Sequence, residues 1–124
     1  MKEIMAVIRM NKMNQTKKAL ADAGIPAFVA REAYGRGKGL VNQEVLKGAA
    51  EGNEEAIALL GTKGRLYPKR ILAIVVPDAQ VKDVVDVIVS VNKTGQAGDG
   101  KIFVMPVSDS VRVRTGEDGE AAIV

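Results

Sequence analysis

The apolar residues of the chain recur with two spacings, one typical of strands and one typical of helices. A continuous apolar run at residues 2–10 predicts a central strand, and the run RILAIVV at residues 70–76 predicts another, because β-branched residues favour extended backbone. Alternating polar and apolar residues at 27–33 predict a strand with one solvated face, and residues 101–107 predict a fourth strand. The chain therefore supplies four strands for a sheet.

Two helices are predicted between these strands. Apolar residues at helical spacing predict a helix over residues 15–23, with Asn14 as its N-cap and Gly24 as the residue that ends it. A second helix is predicted after Pro77, with Asp78 as its N-cap and an apolar stripe that consists of Val81, Val84, Val85, Ile88 and Val89.

Residues 35–66 differ from their surroundings, because they are rich in glycine, carry mixed charge and show little strand pattern. We expect them to form a long mobile loop between the second and third strands. The order of elements predicts an α+β, ferredoxin-like β-α-β-β-α-β sandwich, a single domain over residues 1–124 with a short fifth strand at 110–114 and a tail at 115–124.

Both helices of such a fold cover the same face of the sheet. The predicted strands are apolar on both sides, so the uncovered face would expose a large apolar patch. We therefore expect this face to meet another subunit.

Several features of the composition narrow the function. The 124 residues include no cysteine and no histidine, which removes thiolate and imidazole chemistry and favours a binding protein over an enzyme. A formal net charge of +3, with two tyrosines and two phenylalanines as the aromatic residues, does not favour nucleic-acid binding. No apolar run approaches the about 18 residues of a membrane span, and no signal peptide is apparent, so we expect a cytoplasmic protein.

The densest candidate chemistry lies at residues 94–114. This segment combines three glycines, a lysine and two arginines, namely Gly95, Gly98, Gly100, Lys101, Arg112 and Arg114. The glycines allow tight turns that bring backbone N–H groups close to an anion, and the arginines alternate with valines on one face of an expected extended segment. Such groups suit a polyphosphate. The same spacing is equally compatible with a turn followed by an edge strand whose arginines are solvated.

The sequence TGQAGDGKIFV at residues 94–104, followed by RVRTGE at 112–117, resembles the signature of the PII signal-transduction proteins. The resemblance spans nearly the whole chain and implies a homotrimer with a ferredoxin-like fold, in which ATP or ADP binds in a cleft between neighbouring subunits. By motif match the nucleotide-binding residues would be Thr94, Gly98, Gly100, Lys101, Arg112 and Arg114.

A second match, GRGKG at residues 35–39, is similar to the GRQKG that opens the T-loop of PII proteins, and Pro68 with Lys69 matches its far end. The resemblance implies a 2-oxoglutarate site, in which Mg²⁺ is held with the nucleotide and Lys69 pairs with the carboxylate of the keto acid. Gly37 stands where the family has a glutamine, and it has no side chain to coordinate a ligand.

The resemblance also assigns residues 35–66 to the T-loop, through which PII proteins contact their targets. The partner-binding residues would be Arg36, Lys38, Leu46, Lys47 and Leu59. This loop contains no tyrosine and no serine, and together with residues 2–24 it makes the chain most similar to the nitrogenase-associated branch. That branch works with paired paralogous chains and inhibits the dinitrogenase component.

Two alternatives stay open. One is a PII relative that plugs an ammonium channel with a cation of the loop. The other is a ferredoxin-like phosphotransferase or ATPase, which would use Lys101 and the two arginines to stabilise charge and Asp99 as a base. An aspartate in such a loop is also typical of a residue that stabilises its own turn.

Overall fold

The computed structural model describes residues 1–37 and 66–124. Along these residues the elements are β1 (Lys2–Arg9), α1 (Met13–Asp22), β2 (Val29–Gly35), β3 (Tyr67–Val76), α2 (Val81–Asn92) and β4 (Lys101–Pro106). The sheet order is β2-β3-β1-β4, and each neighbouring pair is antiparallel. This arrangement confirms the predicted ferredoxin-like fold. Within the same two ranges, no helix has the length and apolar character needed to cross a bilayer.

The core lies between the two helices and one face of the sheet. β1 contributes Ile4, Ala6 and Ile8, each at most 1% exposed, because alternate residues of a strand point to the same face. In the β1–β3 register Ile4 lies opposite Ile74, and both are buried. The other buried apolar residues of this core are Met13, Leu20, Leu72, Val76, Val84 and Ile88. Burial of each large aliphatic side chain contributes about 1.5–3 kcal/mol, so this layer fixes β1 at the centre of the fold.

The predicted end of α1 is confirmed. Gly24 adopts a left-handed φ of 81°, and its amide donates to the carbonyl of Ala21 at 3.0 Å. The amide of Ile25 donates to the carbonyl of Leu20 at 2.8 Å. Together these bonds form a Schellman motif, which glycine favours because it has no side chain to strain.

Both predicted N-caps are wrong. Asn14 lies inside α1, and Asp78 lies in a short 3₁₀ turn, Asp78–Gln80, that precedes α2. A similar turn, Met10–Lys12, precedes α1. Such turns use backbone bonds for donors that a side-chain cap would otherwise satisfy. The Asp78 carboxylate instead accepts a hydrogen bond from Lys2 Nζ at 3.2 Å, and this contact lowers the pKa of Asp78 after the larger effect of the terminal ammonium of Met1.

The sheet face opposite the helices is apolar and only partly covered within one chain. By register it carries Met5, Val7, Val29, Ile71, Ala73, Val75, Phe103 and Met105, and we call it the open face. Val29 is 68% exposed and Phe103 is 44% exposed. A patch of this kind is typical of a surface that another subunit covers.

The prediction that β2 has one solvated face is incomplete. Residues on both of its faces are exposed, including Arg31 on the open face and Tyr34 on the opposite one. β2 is the outermost strand on its side of the sheet, so one of its edges has no neighbouring strand in the described part of the chain.

The predicted fifth strand at residues 110–114 does not form. The amide of Arg112 donates to the carbonyl of Glu117 at 2.8 Å, and the amide of Gly116 donates back to the carbonyl of Arg112 at 2.7 Å. Gly116 has a left-handed φ of 76°, which lets the chain reverse there. Residues 111–118 therefore fold back on themselves, and we call them the C-terminal turn. A bridge between Val111 and Asp118 closes it.

Gly100 lies against the central strand, and we predict that Gly100→Ala destabilises the protein strongly. A Cβ atom at this position would lie 2.1 Å from the carbonyl oxygen of Val7, and the φ of 117° would strain any side chain. The matched control is Gly95→Ala, where φ is 86° but no atom lies within 4 Å of the added carbon. The backbone strain costs about 1–3 kcal/mol in either variant, and the clash adds about 2 kcal/mol or more at Gly100 alone. Urea unfolding at equal protein concentrations measures the difference, and equal losses in the two variants would contradict the packing role.

Candidate ligand-binding site

The glycine loop between α2 and β4 is organised around the carboxylate of Asp99. Its Oδ2 atom accepts hydrogen bonds from the amides of Thr94 at 2.7 Å and Gly95 at 2.9 Å. Its Oδ1 atom accepts from the hydroxyl of Thr94 and from Arg9 Nη1, the latter at 2.6 Å. The hydroxyl and amide of Thr94, with smaller effects of Arg9 and Gly95, hold the pKa of Asp99 well below its usual range. The carboxylate is therefore an anion that closes its own turn, as the second interpretation of this aspartate expected.

Two basic residues of the sheet hold this loop from outside. Arg9, at the end of β1, also donates from Nη2 to the carbonyl of Ala97 at 2.9 Å. Lys69 lies opposite Arg9 in the β1–β3 ladder, and its Nζ donates to the carbonyl of Gly98 at 3.2 Å. Lys69 is only 8% exposed, and burial, followed by the charge of Arg9, lowers its pKa.

Sequence reasoning missed Arg9. The contact joins residues 90 positions apart, so no local pattern reports it. The available signal was a charged residue that directly follows a buried run, since the ends of strands carry polar side chains to the rim of a sheet. That signal is weak, because it also fits a solvated arginine.

A cleft of about 410 Å³ opens beside the loop, and we call it the loop cleft. It collects residues from both predicted ligand sites, together with one residue of the predicted partner-binding set: Gly98, Gly100, Lys101, Gly37, Lys69 and Arg36. Val7 and Phe103 supply apolar wall. Basic groups beside an apolar surface suit an anion that also carries a flat or aliphatic group, such as a nucleotide. The structure thus brings together most of the residues that the sequence nominated.

The two arginines are an exception. Arg112 and Arg114 do not line the loop cleft, and they do not lie on an extended segment as predicted. Arg112 donates from Nη1 to Glu117 Oε1 at 2.9 Å and from Nη2 to the carbonyl of Ala121 at 2.7 Å. Arg114 is exposed on the C-terminal turn next to Val113, which is 100% exposed. The prediction failed because the turn at Gly116 removes the strand alternation on which it depended.

Thr94 lies in the loop itself, where its hydroxyl is already engaged by Asp99. Of the predicted partner-binding residues, Arg36 is described and lies at the cleft. The remaining four, Lys38, Leu46, Lys47 and Leu59, lie outside the described residues.

Comparison with known proteins identifies relatives over the full length. The family model described as nitrogen regulatory protein P-II matches residues 1–117. A protein of Methanococcus maripaludis named nitrogen fixation nifHD region glnB-like protein 2 is 47% identical and covers 99% of this chain and 100% of its own length. The protein of that name from Methanobacterium ivanovii is 46% identical and covers 100% of both chains.

A solved structure has the same architecture. The crystal structure of Arabidopsis thaliana PII bound to citrate superimposes with a TM-score of 0.73 at 31% identity. The alignment covers 98% of this chain and 88% of that one.

We predict that Asp99→Asn lowers the melting temperature at neutral pH, because an amide replaces the anion that gathers the loop donors. The folded-state pKa of Asp99 is depressed, so ionised Asp99 contributes stability that is fully present above the usual aspartate pKa of about 3.9 and is lost as the pH falls below it. The difference between wild type and variant should therefore shrink between pH 7 and pH 3.

Thermal unfolding at several pH values measures this difference. Asp22→Asn is the control, because it removes an equal charge from an exposed ion pair with Lys18. A deficit of Asp99→Asn that is independent of pH, or no larger than that of the control, would contradict the role given to the carboxylate.

Proposed function

The chain belongs to the PII family of nitrogen regulatory proteins, and on that basis we propose that it reports nitrogen status by binding ATP or ADP and 2-oxoglutarate. The observation that carries this proposal is the loop cleft, where Gly98, Gly100 and Lys101 lie beside Lys69 in one space of about 410 Å³. A nucleotide phosphate chain would receive backbone N–H groups and the point charge of Lys101 there.

We propose that the arginines complete this site from a neighbouring chain. Arg114 is exposed, and neither it nor Arg112 lines the cleft of its own chain. The open face supplies a reason for neighbours, because its apolar side chains need cover. A homotrimer, the assembly that the family resemblance implies, would bury this face around a common axis and set the C-terminal turn of one chain near the loop of the next.

For 2-oxoglutarate we propose a site at the inner end of the cleft. Lys69 would pair with a carboxylate of the keto acid, and Mg²⁺ would be held mainly by oxygens of the nucleotide and the keto acid, which are the ligands that this ion prefers. At Gly37 no atom lies within 4 Å of an added Cβ, so there is room for the glutamine of other family members. The missing side chain would weaken the site without blocking it.

Regulation is favoured over catalysis. The candidate base of an ATPase or phosphotransferase is Asp99, and its carboxylate is occupied by three N–H donors and a hydroxyl. With a depressed pKa it is a poor proton acceptor. The phosphotransferase alternative therefore lacks a base at the position where the sequence offered one.

The target that we propose is the dinitrogenase component of nitrogenase, reached through the T-loop at residues 35–66 in the cytoplasm. Support comes from the names of the two archaeal relatives, which refer to a nitrogen-fixation region. An assembly with a paralogous chain is compatible with the proposal. An ammonium channel, contacted through a loop cation such as Arg36, is the second candidate.

Calorimetry with ATP and 2-oxoglutarate, alone and together, tests the ligand proposal. Lys101→Ala and Arg114→Ala should each weaken ATP binding by about thirtyfold, the cost of one charge-assisted contact. Gln96→Ala is the control, because the side chain of this loop residue makes no hydrogen bond in the described part of the chain. 2-Oxoglutarate should bind only with Mg²⁺ and ATP, and Gly37→Gln should tighten it.

Sedimentation of the same samples should report three chains per particle. Unchanged ATP affinity in both charge variants would put the nucleotide elsewhere. Equal 2-oxoglutarate affinity with and without nucleotide would end the shared-metal scheme.

An inhibition assay with purified dinitrogenase tests the target. Wild type should inhibit, 2-oxoglutarate with ATP should restore activity, and a variant that lacks residues 42–61 should be inert while its ATP affinity is unchanged. Any paralogous chain encoded alongside is included. Tight binding to an ammonium channel without effect on nitrogenase would move the target to the second candidate.

A further inference from the structure

The guanidinium of Arg112 is held by the C-terminal end of its own chain. Nη1 donates to Glu117 Oε1 at 2.9 Å, and Nη2 donates to the carbonyl of Ala121 at 2.7 Å and to the carbonyl of Val124. The Arg112 side chain is 25% exposed, so these acceptors enclose most of it. One acceptor is ionised and two are neutral.

The segment that holds Arg112 is attached mainly through this contact. The hydrogen bonds that residues 117–124 make in the described structure all end within residues 109–124. They include the amide of Gly119, which donates to the carbonyl of Ser110 at 2.9 Å. We call residues 117–124 the tail. Without Arg112 the tail would be linked to the turn by a few backbone bonds.

We propose that the tail is a built-in competitor that occupies Arg112 until a nucleotide phosphate displaces it. This inference rests on the proposed nucleotide function. An arginine that already donates to three tail acceptors has few N–H groups left for a phosphate, so binding through Arg112 requires the tail to let go. The oxygens of a polyphosphate are all good acceptors and several are charged, which makes the exchange favourable but not free.

The neighbouring arginine provides an internal contrast. Arg114 is exposed and makes no hydrogen bond to any described residue, so it is available to a ligand at once. The two arginines would therefore contribute unequally in the wild type, with Arg114 acting on first contact and Arg112 only after the tail has been released. Loss of the tail should make them more nearly equal.

The test compares ATP affinity in two variants of equal charge. Glu117→Gln removes the one ionised acceptor of Arg112, whereas Glu120→Gln removes the same charge from an exposed tail residue whose side chain has no partner in the described structure. We expect Glu117→Gln to bind ATP about fivefold more tightly than wild type and Glu120→Gln to stay within about twofold, since the ion pair is partly exposed. A chain that ends at Asp118 should gain about tenfold.

A second measurement separates competition from a structural role of the tail. Saturating ATP should speed hydrogen exchange at the amides of Gly119 and Ile123, both of which are bonded within the C-terminal segment. The affinity lost through Arg112→Ala should also be larger in the Glu117→Gln background than in wild type. A tail that merely positions Arg112 for the ligand would give the opposite signs.

The outcomes keep the two proposals apart. Weaker ATP binding by Glu117→Gln, or equal binding by Glu117→Gln and Glu120→Gln, overturns the competitor while the nucleotide function stands. ATP binding by the shortened chain but not by wild type supports the competitor in its strongest form. Absence of ATP binding in every variant overturns both.

Discussion

The ligand site depends on the contact between the glycine loop and β1. Gly100 lies so close to the carbonyl of Val7 that a single carbon atom would not fit between them, and the next residue back, Asp99, is tied to Arg9 of the same strand. β1 is also the strand from which the core is built. The shape of the loop is therefore determined by the packing that holds the helices on the sheet. A loop prepared in this way loses little conformational freedom when a ligand binds.

The charges around the loop are arranged to keep its backbone free for a ligand. Asp99 takes up the amides of Thr94 and Gly95, while Arg9 and Lys69 take up the carbonyls of Ala97 and Gly98. Lys101 is left exposed at the cleft. One chain thus offers a formed half of an anion site, and its remaining candidate groups, the two arginines, lie on the C-terminal turn. Completion by a second chain follows naturally from an apolar sheet face that one chain leaves open.

The sequence predicts the strands, the helices and the end of α1, because these depend on local periodicity and on a glycine that alone tolerates left-handed backbone. It fails where two local solutions compete. Asn14 and Asp78 are good caps, yet 3₁₀ turns satisfy the helix starts by other means. Arg112 and Arg114 alternate like strand residues, yet Gly116 reverses the chain. Arg9 has no local signal at all, because its partner is distant in sequence. Within the site, the glycines and Lys101 were predictable from the motif, whereas the bonds that shape the loop were not.

The position of β1 has a further consequence for how this sequence can change over generations. Ile4, Ala6 and Ile8 fill the core, and the residues between them serve the open face and the loop. Every position from Ile4 to Arg9 therefore answers to a contact, and drift along the strand is confined to replacements of nearly equal shape. Exposed positions of β2 carry no such restriction within one chain. New specificities in this lineage would arise most cheaply on β2 and at the ends of the chain, while β1 remains the inherited framework.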